Sequence, residues 1–405
     1  MKNILKSIGP GIVVAATGIG AGDMIAATVG GAKYGYVILW AVVLGGVLKY
    51  VLNEGVGRWQ LVTGTTITEA WQKHLPRFFS WYFLVYLILW TIIVSAALIA
   101  ATGLAAHSLF PILSIKTWGL IHSAIAVVIV LAGTYKNFEN FMKIMISLMF
   151  VVVIISTILV KPDLLLIVKS IFMPVLPEGG VKYSFAIIGG VGGSVTILSY
   201  GYWISEKGWK GTAYKSRMKL DLAIAYILTT LFGISIIVLS ADLQPDVVNG
   251  SKIVLALAEK MEVNTGSIGK WVFLIGFWGA VFSSMLGVWQ GVPYIFADFV
   301  KNFKKNTDNV SSEKLHSSFN YRLFLVLMAS LPFALLFIGK PVWLIVVYAI
   351  AGSLFMPYLA ITLLYLNNNA SLLKSENNSI LINIFLLINL LLFLYLGIME
   401  IINYL

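Results

Sequence analysis

Apolar runs of about 17–25 residues recur along the chain and are separated by short polar or basic segments. An α-helix needs roughly 20 predominantly apolar residues to cross the hydrocarbon core of a bilayer. Only 11% of the 405 residues are charged, whereas roughly 25% are charged in a typical soluble domain. The pattern therefore predicts an all-α polytopic membrane protein.

Hydropathy predicts about 11 membrane spans, so the two termini are expected on opposite sides of the membrane. About two thirds of the Lys and Arg residues between spans lie on the side of the N-terminus, which the positive-inside rule places inside. We expect a multi-pass protein of the plasma (cytoplasmic) membrane with its C-terminus outside and its N-terminal segment retained. The predicted spans are residues 9–32, 36–57, 81–105, 117–135, 141–160, 184–204, 219–241, 268–297, 321–338, 341–365 and 379–400.

Composition also limits the chemistry that the chain can perform. It has no cysteine and four scattered histidines, so thiolate sites and zinc-type clusters are not expected. The net charge of +11 comes from basic residues interleaved among apolar spans, which does not indicate nucleic-acid binding. No acid–base cluster or long soluble segment indicates an enzyme or a sensor, which remains the weaker alternative to a transporter. The expected partners are the lipid bilayer and a transported cation or small solute, with no cofactor besides a coupling proton or cation.

The first span carries closely spaced glycines in the middle of its apolar stretch. Gly18, Gly20 and Gly22 are followed directly by Asp23. Each glycine weakens a helix by roughly 1 kcal/mol relative to alanine, and an Asp is well suited to cap amide groups at a new helix start. We therefore predict that the first helix is broken near residues 18–24.

The sixth span shows the same kind of interruption near residues 189–200. Glycine pairs also let membrane helices pack closely, so one such span alone is ambiguous. Spans one and six occupy equivalent positions if the chain contains two five-span halves, and paired interruptions of this kind indicate a midplane substrate site. The glycines and small polar residues of this segment are Gly189, Gly190, Gly192, Gly193, Ser194, Thr196, Ser199 and Gly201.

Asp23 is a carboxylate at mid-membrane depth, where an uncompensated charge costs several kcal/mol. Three partners are conceivable: a cationic substrate or coupling ion, a proton, or Lys49 in the second span. Glu54 and Arg58 lie four residues apart at the end of that span, and we expect them to form an exposed helix pair of small energetic value.

Several sequence segments are similar to one known family. GPG at Gly9–Gly11, GGAKYGY at Gly30–Tyr36, NEGVGRWQLVTG at Asn53–Gly64 and GAVFSSMLGVWQG at Gly279–Gly291 resemble the Nramp divalent-metal transporters in order and spacing. Span ten, with Gly352 and Pro357, fits more loosely. The resemblance implies a LeuT-type 5+5 inverted repeat with helices 1 and 6 broken, plus an extra helix. It places repeat one at about 9–160, repeat two at about 184–365 and the extra helix at about 379–400 of a single transmembrane domain at 1–405.

The resemblance also implies a metal site, from which this chain departs. The family is expected to use Asp and Asn of a DPGN sequence, but the corresponding window is GAGD, with Gly20 and Asp23 at those positions. Ile197 stands where a Met ligand is expected, and the polar position of span ten falls near Ala349. Span three has no Asp or Glu between residues 81 and 107, which leaves proton coupling open.

We expect a secondary-active transporter that moves a divalent metal cation by alternating access. Loss of the thioether removes the preference for soft metals, and the remaining oxygen ligands suit a harder cation such as magnesium. The alternative is a small organic solute, such as an amino acid or amine, on the same fold. The predicted substrate-binding residues are Gly20, Ala21, Asp23, Ser194, Thr196, Ile197 and Ser199, with Asp23 as the metal ligand; the predicted helix-break residues are Gly18, Gly20, Gly22, Gly192, Gly193 and Gly201.

Overall fold

The computed structural model describes residues 9–243, 253–303, 315–337, 344, 347–348, 351–352 and 354–404. Within these ranges the description leaves out the side chains of residues 21–23, 253, 264–265, 396–397, 400–401 and 403–404. The described residues form helices and their connections, with no strand among them. The predicted all-α class is therefore confirmed.

The N-terminal part of the chain begins with two short helices separated by an interruption at residues 19–20. A 3₁₀ segment, Gly35–Ile38, then leads into the next long helix. The α-helices of this part are α1 (Pro10–Gly18), α2 (Ala21–Tyr34), α3 (Leu39–Thr63), α4 (Ile67–His74), α5 (Arg77–Leu109), α6 (Ile115–Ala132), α7 (Tyr135–Leu159) and α8 (Leu164–Phe172).

The C-terminal part repeats the interruption, with the 3₁₀ segment Val195–Leu198 between two short helices. A further 3₁₀ segment, Leu331–Phe337, continues from the end of α13. The α-helices of this part are α9 (Val181–Gly190), α10 (Ser199–Glu206), α11 (Lys215–Ser240), α12 (Ile253–Phe303), α13 (Phe319–Ser330), α14 (Phe355–Leu366), α15 (Ala370–Leu373) and α16 (Ile380–Tyr404).

Eight helical stretches of the described chain are long and apolar enough to cross a membrane. One of them, Met24–Thr63, contains 40 residues, and a straight helix of that length would be about twice the hydrocarbon thickness. It turns at Gly35, whose φ of 59° lies in the left-handed region, so it contributes to two predicted spans. Two shorter apolar helices, Phe355–Leu366 and Ile380–Tyr395, fall within predicted spans ten and eleven, and part of span ten lies outside the described residues.

The interrupted helices lie at the centre of the bundle. In Val181–Glu206 and in Gly266–Phe303, 78% of the apolar 18-residue stretch is buried inside the protein, against 28% in Ile115–Ala132. The central helix α12 packs against α1, and α11 packs against α1, α2 and α3. Outer helices such as α6 instead present exposed apolar side chains, as expected of surfaces that face lipid.

Glu54 and Arg58 do pair, but the expectation of an exposed pair was wrong. Both residues are buried, and Arg58 Nε lies 3.1 Å from Glu54 Oε1. The guanidinium also donates to the carbonyl oxygen of Glu376 at 2.6 Å and to the side-chain oxygen of Asn378. The pair therefore anchors the segment before α16 to the second span. The residues that cover the pair come from more than 300 positions away in the chain.

We predict that Glu54→Gln destabilises the protein by about 3–5 kcal/mol, because it leaves the buried Arg58 charge uncompensated. Glu69→Gln serves as the control, since its partner Lys73 has a 61% exposed side chain and exposed pairs contribute about 0–1 kcal/mol. Denaturant unfolding in detergent micelles measures both variants. Equal losses of stability in the two variants would contradict the prediction.

Candidate substrate site

The first helix is broken at the predicted place. α1 ends at Gly18, and Ile19 (ψ 76°) and Gly20 (φ −127°, ψ −162°) leave the helical conformation before α2 begins at Ala21. The N-cap of α2 is Gly20, without a side-chain capping bond. Asp23 lies in the first turn of α2, where a carboxylate complements the helix dipole. Capping by Asp23 stays a prediction, because its side chain is not among the described groups.

A serine of α12 satisfies a carbonyl group next to this break. Ser284 Oγ donates to the carbonyl oxygen of Thr17 at 2.7 Å. The neighbouring Ser283 Oγ lies 3.3 Å from the carbonyl oxygen of Ala16 but is closer, at 2.9 Å, to that of Ala280 in its own helix. An unpaired buried carbonyl costs about 1–3 kcal/mol, and bilayer lipid offers no substitute donor, so Ser284 stabilises the interrupted first helix.

The sixth helix is broken by two consecutive left-handed glycines. α9 ends at Gly190, and Gly192 and Gly193 have φ values of 76° and 82°. Residues with a Cβ are strained in this region, whereas glycine adopts it readily. The chain then forms the 3₁₀ segment Val195–Leu198 and resumes as α10 at Ser199. The prediction of a second broken helix is confirmed.

The two breaks are in direct backbone contact. A Cβ added to Gly18 would lie 2.5 Å from the carbonyl carbon of Gly192 and 2.8 Å from the amide nitrogen of Gly193. No side chain fits between these segments, which explains a glycine at the end of α1 as well as at the break of helix six. The sequence predicts the two breaks, and the structure shows that they lie against each other.

Lys49 of α3 lies beside the break of helix six. It is 1% exposed, and its Nζ donates to the carbonyl oxygens of Gly189, at 2.8 Å, and of Gly193. An ammonium group at a helix C-terminus interacts favourably with the helix dipole. A pair between Lys49 and Asp23 stays a prediction, because the description does not include the aspartate side chain.

The predicted polar residues of the sixth span are buried around the break. Ser194 Oγ faces Gly352, whose added Cβ would lie 2.8 Å from it, and has no hydrogen-bond partner within the described ranges. Ser199 Oγ likewise has no hydrogen-bond partner in the described part of the chain, and it lies against Gly291 of α12. Thr196 is 6% exposed and belongs to the 3₁₀ segment. The two serines therefore face different neighbours, Ser194 in span ten and Ser199 in span eight.

Other predicted residues have different positions. Ile197 is fully buried in the 3₁₀ segment. Gly22 and Gly201 lie inside the first turns of α2 and α10, so their assignment to the breaks is corrected. Gly201 faces the Gln60 side chain at ordinary contact distance, with no positive φ, so the local structure does not require an interruption there. Ala349 lies outside the described residues.

Two functional candidates were not singled out from the sequence. Trp90 of α5 is buried, and its Nε1 has no hydrogen-bond partner among the residues that the structure describes. The Trp90 Nε1 atom lies 3.7 Å from an added Cβ of Gly352, which Ser194 also faces.

The second candidate is Asp221 of α11, which accepts bonds from the amides of Gly9, at 3.0 Å, and Gly11, at 2.6 Å. A tryptophan in an apolar span carries no distinguishing signal, but an aspartate within span seven could have been noticed.

A cavity of about 640 Å³ opens near the start of α1. Its lining includes Glu139, Glu206, Lys207, Gln290 and His316. Lys207 Nζ lies 2.7 Å from Glu139 Oε1, and burial lowers the pKa of His316 below its usual range, so this histidine is neutral at pH 7. The cavity is therefore lined in part by charged and polar groups.

No group of three or more His, Cys, Asp or Glu residues in the described part of the chain could hold a metal ion. The oxygen atoms at the breaks are instead backbone carbonyls and the hydroxyls of small residues. Such atoms can replace part of the water shell of a hard cation.

The described architecture matches a known family. The family model for natural resistance-associated macrophage protein-like (Nramp) proteins matches residues 11–403. The chain belongs to the Nramp family. Curated relatives include divalent metal cation transporters MntH from Chromohalobacter salexigens, 23% identical over 58% of this chain and 56% of that protein, and from Brucella suis, 26% identical over 59% and 55%. For MntH of Listeria welshimeri the figures are 24%, 43% and 39%, so the chain spans about half the length of these relatives or less.

Solved structures share the fold of this chain. The Eremococcus coleocola manganese transporter bound to an aromatic bis-isothiourea substituted compound has a TM-score of 0.77 at 15% identity, over 99% of this chain and 87% of that one. MhsT in complex with L-phenylalanine has a TM-score of 0.59 at 15% identity, over 96% and 97%. The predicted LeuT-type fold with two broken helices is confirmed.

We predict that Gly18→Ala destabilises this Nramp protein by about 1–3 kcal/mol, the usual cost of overpacking, because the new methyl group meets rigid backbone. Gly276→Ala is the matched control, since its Cβ would meet Met149 at an ordinary 3.6 Å. Fluorescence-detected thermal unfolding of the detergent-purified variants provides the comparison. A Gly18→Ala protein as stable as the control would show that the breaks are not in contact.

Proposed function

We propose that the chain is a secondary-active transporter that moves a divalent metal cation by alternating access. The contact between two interrupted helices, at Gly18 and Gly192, is the observation that carries this proposal. Irregular backbone at membrane depth is tolerated only where it is buried in protein or lines a cavity, and such paired breaks are the usual substrate site of inverted-repeat transporters. Membership of the Nramp family and relatives named divalent metal cation transporters support a metal as the cargo.

The proposed cargo is a hard cation such as magnesium. Ile197, which is fully buried, offers no electron pair, so a soft thioether ligand is missing where the family resemblance expects one. The proposed ligands are oxygen atoms of the segment Gly20–Asp23, including the Asp23 carboxylate, and of the segment Ser194–Ser199. Oxygen ligands favour hard ions, and magnesium keeps several of its waters when bound.

The N-terminal helix is held in a way that supports a rocking unit. The Asp221 carboxylate accepts bonds from the amides of Gly9 and Gly11 at the start of α1 and from the Tyr200 hydroxyl of α10, at 3.1 Å. These bonds join the first, sixth and seventh spans. We propose that these spans, together with the second, move against the rest of the bundle in a plasma-membrane protein whose N-terminus is inside.

The alternative cargo, an organic solute, is less well supported. MhsT, crystallised with L-phenylalanine, has a TM-score of 0.59 to this chain, against 0.77 for the manganese transporter. At 15% identity both TM-scores describe the fold alone. The match to the Nramp family supports a metal as the cargo and gives no support to an organic solute. A divalent metal therefore remains the proposed cargo.

We predict that Asp23→Ala reduces divalent metal uptake by proteoliposomes at least about tenfold, which corresponds to 1.4 kcal/mol of lost binding. The reason is that a carboxylate is the strongest ligand in the proposed oxygen set. Asp242→Ala is the control, because that side chain is 77% exposed and pairs only at the surface with Lys260. Uptake of magnesium, manganese and calcium is compared in the same liposomes, and unchanged uptake by Asp23→Ala would remove Asp23 from the mechanism.

We predict that Ile197→Met shifts selectivity toward manganese and cadmium, by roughly tenfold relative to magnesium, because a thioether selects softer metals. The swap preserves side-chain volume and is expected to cost less than about 1.5 kcal/mol in stability. Ile204→Met, at an equally buried position of α10, is the control for a methionine that is distant from the break. Identical selectivity in the two variants would place Ile197 away from the cargo.

A further inference from the structure

The ammonium group of Lys49 binds where a transporter of this fold can bind a free cation. Its Nζ contacts the carbonyl oxygens of Gly189, one residue before the end of α9, and of Gly193, in the interrupted segment. The C-terminus of a helix carries about half a negative charge. Unwound carbonyls and half-helix C-termini are the groups that coordinate sodium ions or protons in broken-helix transporters.

The surrounding contacts hold Lys49 in this position. One turn before it on α3, Gly45 permits close packing on α9, since an added Cβ would lie 3.1 Å from the Ile188 Cα. One turn after it, Asn53 Nδ2 donates to the Tyr226 hydroxyl at 3.1 Å. The Tyr226 ring in turn lies against Gly192, 2.5 Å from an added Cβ. Thus α3 and α11 enclose the break of helix six on the side from which the lysine enters.

The two carbonyl groups require a cationic or donor partner at this depth. No water is available in the hydrocarbon core to satisfy them, and each unpaired carbonyl would carry the full desolvation penalty. A lysine ammonium supplies three donors and a unit charge. Ser194 follows Gly193 directly in the chain, and its buried hydroxyl has no hydrogen-bond partner among the described residues. It is therefore available as a further oxygen ligand for an ion.

We propose that Lys49 is a tethered cation that permanently fills a monovalent-cation site at the break of helix six. This inference rests on the proposed transport function. It adds that metal transport by this chain needs no free sodium or potassium ion at this position. Removing the ammonium should then create a site for such an ion, formed by the carbonyls of Gly189 and Gly193 and the hydroxyl of Ser194.

The test compares the wild-type chain with Lys49→Met, and uses Lys33→Met as the matched control. Lys33 is an exposed lysine of α2 that bonds to the Tyr183 hydroxyl at 2.8 Å. Divalent metal uptake by proteoliposomes and thermal unfolding in detergent are both measured in sodium, in potassium and in N-methyl-D-glucamine, a cation too large for the site. Wild type and Lys33→Met are expected to behave alike in all three media.

For Lys49→Met we expect at least about a tenfold loss of uptake in N-methyl-D-glucamine, because the carbonyl groups of both Gly189 and Gly193 lose their partner. Sodium or potassium should restore the uptake and raise the unfolding temperature of this variant alone. The inference is overturned if wild-type uptake requires sodium or potassium, or if these ions affect Lys49→Met no more than Lys33→Met. If Lys49→Met does not reach the membrane, Lys49→Gln replaces it under the same criteria, and wild-type uptake without either ion remains an independent test.

The two proposals fail in different ways. Wild-type protein that moves no divalent metal, together with ion-dependent stabilisation of Lys49→Met, would remove the proposed cargo and leave the tethered cation standing. Wild-type metal uptake, together with a Lys49→Met variant that is indifferent to both small ions, would retain the proposed function and remove the tethered cation.

Discussion

Backbone groups that leave a helix inside a membrane must find partners within the protein, and the architecture around the two breaks follows from this requirement. In the first helix, Ser283 and Ser284 of α12 approach the carbonyls of Ala16 and Thr17. In the sixth helix, Lys49 satisfies those of Gly189 and Gly193. Thus α3 and α12 lie beside the breaks because they supply hydrogen-bond donors to these carbonyl groups, as well as through apolar packing.

These partners differ in chemical character, and the difference bears on transport. At the break of helix one the nearby donors are neutral hydroxyl groups, whereas at the break of helix six the donor is a charged ammonium group. A serine can release a carbonyl to a cargo ion at the cost of about one neutral hydrogen bond, roughly 0.5–1.5 kcal/mol, whereas displacing a buried ammonium leaves a charge unpaired and costs several kcal/mol. The break of helix one is therefore the more adaptable half of the proposed site, and that of helix six is the more rigid half.

The breaks themselves could be predicted from the sequence because glycine weakens a helix locally, and the local segment contains that information. Their partners could not be predicted in the same way. Lys49 lies 144 residues from Gly193, and only the packing of α3 on α9 brings the two together. Glu54 and Arg58 illustrate the same limit: their spacing predicted a helix pair, but the segment that covers them comes from more than 300 residues away. Gly201 shows the opposite error, in which a glycine near a break was taken as part of it although its own conformation is helical.

The tethered ammonium proposed for Lys49 also bears on the proposal that the cargo is a hard, partly hydrated ion. A fixed positive charge beside Gly193, whose backbone touches Gly18, raises the electrostatic potential at the proposed site. A dehydrated divalent ion would meet this repulsion in a medium of low dielectric constant, where it is stronger than in water. An ion that keeps several waters, as magnesium does, spreads its charge over a larger volume and stays farther from the ammonium. On this argument the loss of a thioether at Ile197 and the presence of Lys49 favour the same kind of cargo for separate physical reasons.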